Sequence, residues 1–178
     1  MTNLGGETSI SKTVVWLTPP HILKALGEFD LDPCASLDRP WDTALNHFTV
    51  EDNGLTQPWF GRVWLNPPYG AGMDQWLNRL ANHPGGGIAL VFARTETRAF
   101  FSTVWGKADA MLFLKGRVKF HLPDGRVGDT SQSPSVLIAY GEQEKAALLR
   151  SGIAGQFVDL HGSVRVDDVS RETLGEQL

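Results

Sequence analysis

The sequence predicts an α/β fold built on a mostly parallel sheet with a late antiparallel hairpin. Three observations carry that expectation. Residues 88–93 and 110–114 are short, continuous apolar runs of the kind that form buried strands. Between the strand candidates lie stretches with apolar residues at three- and four-residue spacing, such as Trp76, Leu77 and Leu80. A further apolar run, 63–65, stops abruptly at Asn66-Pro67-Pro68-Tyr69. Alternation of buried strands and helices is the signature of a mostly parallel sheet.

In chain order, residues 1–12 are polar and glycine-containing and are expected to form a flexible arm. Thr18 reads as an N-cap and Pro19 as the first residue of a helix with Ile22, Leu23 and Leu26 on its apolar face. Residues 29–32 read as a strand that ends in the turn Pro33-Cys34-Ala35-Ser36 with an acid, Asp32, at its tip. Nucleotide sites in α/β folds commonly begin this way, although the Gly-x-Gly-x-x-Gly fingerprint is absent. Residues 37–58 look irregular and polar. After strand 63–65, consecutive prolines cannot continue a central strand, so Asn66 and Tyr69 sit on a stiff corner just beyond a strand end. Residues 73–83 fit a helix, stopped by Pro84-Gly85-Gly86-Gly87 before strand 88–93. Residues 95–105 fit another helix capped by Thr95. Strand 110–114 is followed by the alternating run 117–120, a long loop over 121–134, and a strand at 135–140 returning beside it. A helix at 142–150, a final strand at 156–160 and a polar tail at 163–178 complete the chain.

A chain of 178 residues with 42% hydrophobic content is one domain with room for a real core. No run approaches the length of a membrane span, and the N-terminus lacks the pattern of a signal peptide. The single cysteine, Cys34, excludes an intramolecular disulfide framework and fits a reducing cytoplasm. The five histidines show no metal spacing with Cys34, so no metal is expected. Net charge is −4, yet residues 94–126 hold seven Lys/Arg against three acids. An acidic protein with one basic segment can grip phosphates on one face. Arg94, Arg98, Lys115, Arg117, Lys119 and Arg126 are the candidate contacts.

The ordered motifs carry a resemblance. Trp-x-Thr-Pro (16–19), Asp-Pro-Cys-Ala (32–35), Asp-x-Gly-Leu (52–55), Trp-Leu-Asn-Pro-Pro-Tyr (64–69), Gly-Arg-x-x-Phe (116–120) and Pro-Ser (134–135) together resemble the phage-type DNA adenine-N6 methyltransferases. The likeness spans roughly residues 14–141. It implies a Rossmann-like methyltransferase domain over 13–162, S-adenosylmethionine as cofactor, duplex DNA with a flipped adenine as substrate, and a bacterial host cytoplasm. Most amino methyltransferases carry a glycine-rich loop where this chain has 32–36, so cofactor contacts there are carried over by position. No separate target-recognition domain is expected, which leaves sequence preference to loops or a partner.

On this reading Asn66 and the Pro67 carbonyl accept the two hydrogens of the adenine amino group, and Pro68 stiffens the corner. Tyr69 stacks on the extruded base. Asp32 and the backbone of Pro33, Cys34 and Ala35 face the methionine part of the cofactor, walled by Trp16, Thr18 and Pro19. Asp52 receives the cofactor's adenine amino group and Phe48 packs on its ring. The plain structural alternatives are a turn residue for Asp52, a turn or cap for Asp32, and a core side chain for Trp16. Pro33-Cys34 also resembles the nucleophile of cytosine-C5 methyltransferases, but no Glu-Asn-Val follows, and Cys34 is assigned to packing or cofactor contact. Protein glutamine-N5 methylation and RNA adenine methylation use the same corner, and an inactive DNA-binding phage accessory protein is a reading of another class.

Overall fold

The computed structural model describes residues 15–161 apart from residues 71 and 132. The arm at 1–12 and the tail at 163–178 lie outside the described residues. The elements run α1 (Pro20–Leu26), β1 (Leu31–Asp32), β2 (Asn46–His47), β3 (Val63–Leu65), α2 (Met73–Ala81), β4 (Gly87–Phe92), α3 (Arg98–Thr103), β5 (Ala110–Leu114), β6 (Lys119–His121), β7 (Val127–Thr130), β8 (Ser135–Tyr140), α4 (Glu142–Arg150) and β9 (Gly155–Asp159).

Seven strands form one sheet in the order β2-β1-β3-β4-β8-β5-β9. β2, β1, β3 and β4 pair in parallel, while β8 runs antiparallel between β4 and β5, and β9 antiparallel along β5. Five strands therefore share one direction, and the sheet is mostly parallel as the pattern predicts. β6 and β7 form a separate two-stranded sheet.

Alternation of side chains across the strands divides the core into two layers. Leu65, Ala89, Val91, Met111, Val136 and Ile138 pack with Leu77 and Leu80 of α2 and Phe100 of α3. Trp64, Ile88, Leu90, Leu112 and Leu137 pack on the other face with Ile22, Leu23 and Leu26 of α1, Val118 and Phe120, and Leu148 of α4. Helices thus cover both faces of the sheet, which is why its central strands are apolar throughout.

Four local expectations are corrected. Pro19, not Thr18, is the cap residue of α1, and Pro20 takes the first helical position; the Thr18 hydroxyl makes no capping bond. The helix expected from Thr95 begins at Arg98, with Thr97 Oγ1 accepting the Phe100 N–H at 3.3 Å. The expected loop 121–134 contains β7, whose polar composition hides a strand that pairs only with β6. The strand at 135–140 does not return beside 117–120; all six of its residues are buried between β4 and β5.

Candidate functional site

The chain leaves β1 outward to β2, then crosses back to place β3 on the other side of β1. Reversal of strand order opens a crevice at the carboxyl ends of the two parallel strands. A cleft of about 520 Å³ lies there, lined by Asp32 from the end of β1 and by Asn66, Pro67, Pro68 and Tyr69 after β3. Trp16, Thr18, Cys34 and Ala35 join them. Of the remaining sequence candidates, Pro19 lines a different cleft, and Pro33, Phe48 and Asp52 stand outside both linings. The Asp52 carboxylate accepts the Thr49 N–H at 2.7 Å and the Thr49 hydroxyl at 2.9 Å, bonds that lower its pKa.

Asn66 is held by its amide nitrogen, which donates to the Trp16 carbonyl at 2.9 Å. Its side-chain oxygen is buried without a hydrogen-bond partner, as are the hydroxyls of Thr18 and Tyr69. Buried polar atoms are normally paired; with the indole nitrogen of Trp64, four such atoms without partners belong to residues lining this one cleft. The Trp16 carbonyl accepts only from nitrogen, which fixes the amide so that its oxygen is the free end. The Cys34 thiol donates to the Asn66 carbonyl at 3.3 Å and so braces the corner from β1. Burial pushes that thiol's pKa well up, with the Asp32 carboxylate adding to the effect. A thiol held protonated is no nucleophile.

Asp32 is 3% exposed. Burial raises its pKa to about 6, against the lowering effect of bonds from the Thr43 hydroxyl and the Cys34 N–H. The Tyr69 ring stacks on Phe92 of β4 at 4.2 Å and 19°. Burial also keeps its hydroxyl far above the ordinary tyrosine pKa, so the phenol stays neutral.

Sequence reasoning did not assign Thr43, Asn53, Gly54 or Trp76 to the site, and Trp76 reads there only as part of a helix face, yet all four line the cleft. Only Gly54 had a signal, as part of the Asp-x-Gly-Leu stretch. A Cβ there would drive into the Pro33 carbonyl, so glycine is what lets loop 49–54 close against the β1 turn.

Only three of the six candidate cations line a common cleft. Arg94 lies over the Phe92 ring at 5.9 Å, and Arg98 opens α3. Arg126 is paired with Asp124 at 2.7 Å. Lys115, Arg117 and Lys119 line a second cleft of about 670 Å³. At another edge of the molecule Asp109, Glu142 and His161 bring ligand-type atoms within 4.8 Å of one another. The Lys145 ammonium sits in the same group, 2.8 Å from Asp159 and 2.9 Å from His161 Nδ1, and offsets part of its negative charge.

Comparison with known proteins finds one family: the model described as DNA N-6-adenine-methyltransferase (Dam) matches residues 5–151. No curated protein and no solved structure matches.

Proposed function

The chain belongs to the DNA N-6-adenine-methyltransferase family, and from that premise we propose that the cleft between β1 and β3 binds S-adenosylmethionine beside an extruded adenine, with Asn66 at the reacting nitrogen. The family assignment is to DNA adenine and favours neither the protein-glutamine nor the RNA reading. Helices on both faces and a cleft at the strand-order reversal support a Rossmann-like methyltransferase fold.

The residues present fit the cofactor. A volume of about 520 Å³ falls within the usual range for small-molecule sites. A buried carboxylate at Asp32 complements a cationic ligand, and the orphaned Thr18 hydroxyl offers a hydrogen bond. Trp16, Thr18, Asp32, Cys34 and Ala35 would hold it, with loop 49–54 closing the site. When bound, S-adenosylmethionine supplies a methyl group already activated on a sulfonium.

The observation that carries the mechanism is the free, buried oxygen of Asn66. The adenine amino nitrogen is a poor nucleophile because its lone pair is delocalised into the ring. Acceptance of its two hydrogens by Asn66 Oδ1 and the Pro67 carbonyl favours a tetrahedral nitrogen. It also stabilises the positive charge that grows there as the nitrogen attacks. The Trp16 carbonyl fixes the amide beforehand, so no reorganisation accompanies the reaction. Tyr69, stacked on Phe92, presents its other face to the base, which must leave the duplex to reach the cleft. Arg94, Arg98 and the cations of residues 115–126 contact the DNA backbone.

Incubation with labelled S-adenosylmethionine and unmethylated DNA tests the reading, with label expected on adenine N6. Asn66→Ala is expected to lose 10²-fold or more of kcat, on the order of one preorganised acceptor, while cofactor affinity changes little. A folded Asn66→Ala protein with unreduced methylation would overturn the assigned role.

A further inference from the structure

We propose that Arg39 anchors the carboxylate of the cofactor's methionine part, across the cleft from the Asp32 carboxylate that receives its ammonium. The inference deepens the cofactor reading of the first cleft and rests on it. Of the described residues lining that cleft, Arg39 alone is a cation; the acids there are Asp32, which is buried, and Asp38, which is exposed. Arg39 and Asp32 form no ion pair with each other among the described residues, since the one carboxylate within reach of Arg39 is that of Asp42. They nonetheless share a field: burial dominates the raised pKa of Asp32, and the Arg39 charge is among the influences that pull it back. Two opposite charges that line one cavity without pairing complement a ligand that carries both. The amino-acid head of S-adenosylmethionine is such a zwitterion.

The guanidinium has donors to spare. Its Nε donates to the Asp42 carboxylate at 3.3 Å and its Nη1 to the Ser36 carbonyl at 2.9 Å, while Nη2 makes no hydrogen bond among the described residues. One hydrogen on Nη1 and both on Nη2 therefore remain, the edge that grips a carboxylate in two-pronged fashion. Asp42 is 76% exposed, and an exposed partner of this kind holds an arginine weakly. The segment that carries Arg39 is fixed on both sides. The Ser36 hydroxyl donates to the Asp38 carbonyl at 2.7 Å, the Trp41 indole to the Thr18 carbonyl at 3.2 Å, and the Thr43 hydroxyl to Asp32. A donor held in place beforehand loses little freedom when it closes on an anion.

The test compares S-adenosylmethionine with its decarboxylated form, which lacks only the carboxylate, by calorimetry on the wild-type chain, Arg39→Ala and Arg39→Lys. The wild-type chain is expected to prefer the carboxylated ligand by about ten- to hundredfold, the worth of a charge-assisted hydrogen bond. Arg39→Ala is expected to bind the two alike, with its affinity for the decarboxylated ligand close to wild type. Arg39→Lys keeps the charge without the fork and is expected to retain part of the preference. A wild-type chain that binds both ligands equally overturns the inference without any variant. A preference that survives in Arg39→Ala overturns it too: with both affinities lowered, Arg39 only shapes its loop, and with weakened DNA binding instead, it serves a phosphate. A wild-type chain that binds neither ligand would overturn the cofactor reading beneath.

Discussion

Asp32 shows how burial couples one carboxyl to both stability and ligand binding. Its pKa is raised from 3.8 to about 6, so the folded state holds the proton more readily than the unfolded chain. The contribution to stability is fully present below pH 4, fades as pH rises towards 6, and is absent above, a change of about 3 kcal/mol. Asp32→Asn removes it. Denaturation of both proteins at pH 4, 5, 6 and 7 is expected to show the variant gaining on wild type by that amount across the window. A constant difference would show that Asp32 titrates normally. A cationic ligand needs the carboxylate, so S-adenosylmethionine affinity is expected to rise through about pH 6 in wild type and to stay flat in Asp32→Asn.

At the scale of elements, the site is a meeting of turns pinned to strand ends. The Asn66 corner was legible because two prolines after an apolar run leave few conformations, and the Asp32 turn because nucleotide sites in α/β folds commonly begin with an acid at a strand tip. What holds the corner was not legible. The Trp16 carbonyl, the Cys34 thiol and the Phe92 ring reach Asn66 and Tyr69 from 50, 32 and 23 positions away, and no local pattern encodes such contacts. Strand β7, which pairs with β6, escaped notice for a different reason. Its strand Val127–Thr130 buries almost nothing and so shows no periodicity. Loop 49–54 offers a direct test of element packing. Gly54→Ala must push the loop off Pro33, and cofactor affinity is expected to fall about tenfold while Asn66 keeps its place and the protein its fold. Unchanged affinity by calorimetry would detach this loop from the cofactor site.

Across the whole molecule, one ion pair ties distant segments together. Arg62, just before β3, pairs through Nε with Glu144 of α4 at 2.8 Å, donates to the carbonyls of Glu28 and Leu26, and covers the Phe29 ring at 4.1 Å. Glu144 is 1% exposed. From its position among polar residues of α4 it reads as a solvated helix charge, and only the tertiary structure reveals its burial. Removing one partner of a buried pair costs about 3–5 kcal/mol. Glu144→Ala is expected to lower Tm by roughly 10 °C with little change in cofactor affinity, read by calorimetry. Arg62→Met/Glu144→Leu is expected to recover part of the loss, because the stranded charge is gone. Equal destabilisation by the single and double variants would assign the effect to packing.

The position of β8 bears on how the chain is made. Strands β4 and β5 both leave the ribosome before it, yet they do not pair with each other; each pairs with β8. A nascent chain ending before residue 135 therefore carries two hydrophobic edges facing an empty slot, the condition under which unpaired strands recruit neighbours. Synthesis of the last quarter of the protein closes that slot, and a truncated translation product from this gene is an aggregation hazard, not a smaller enzyme.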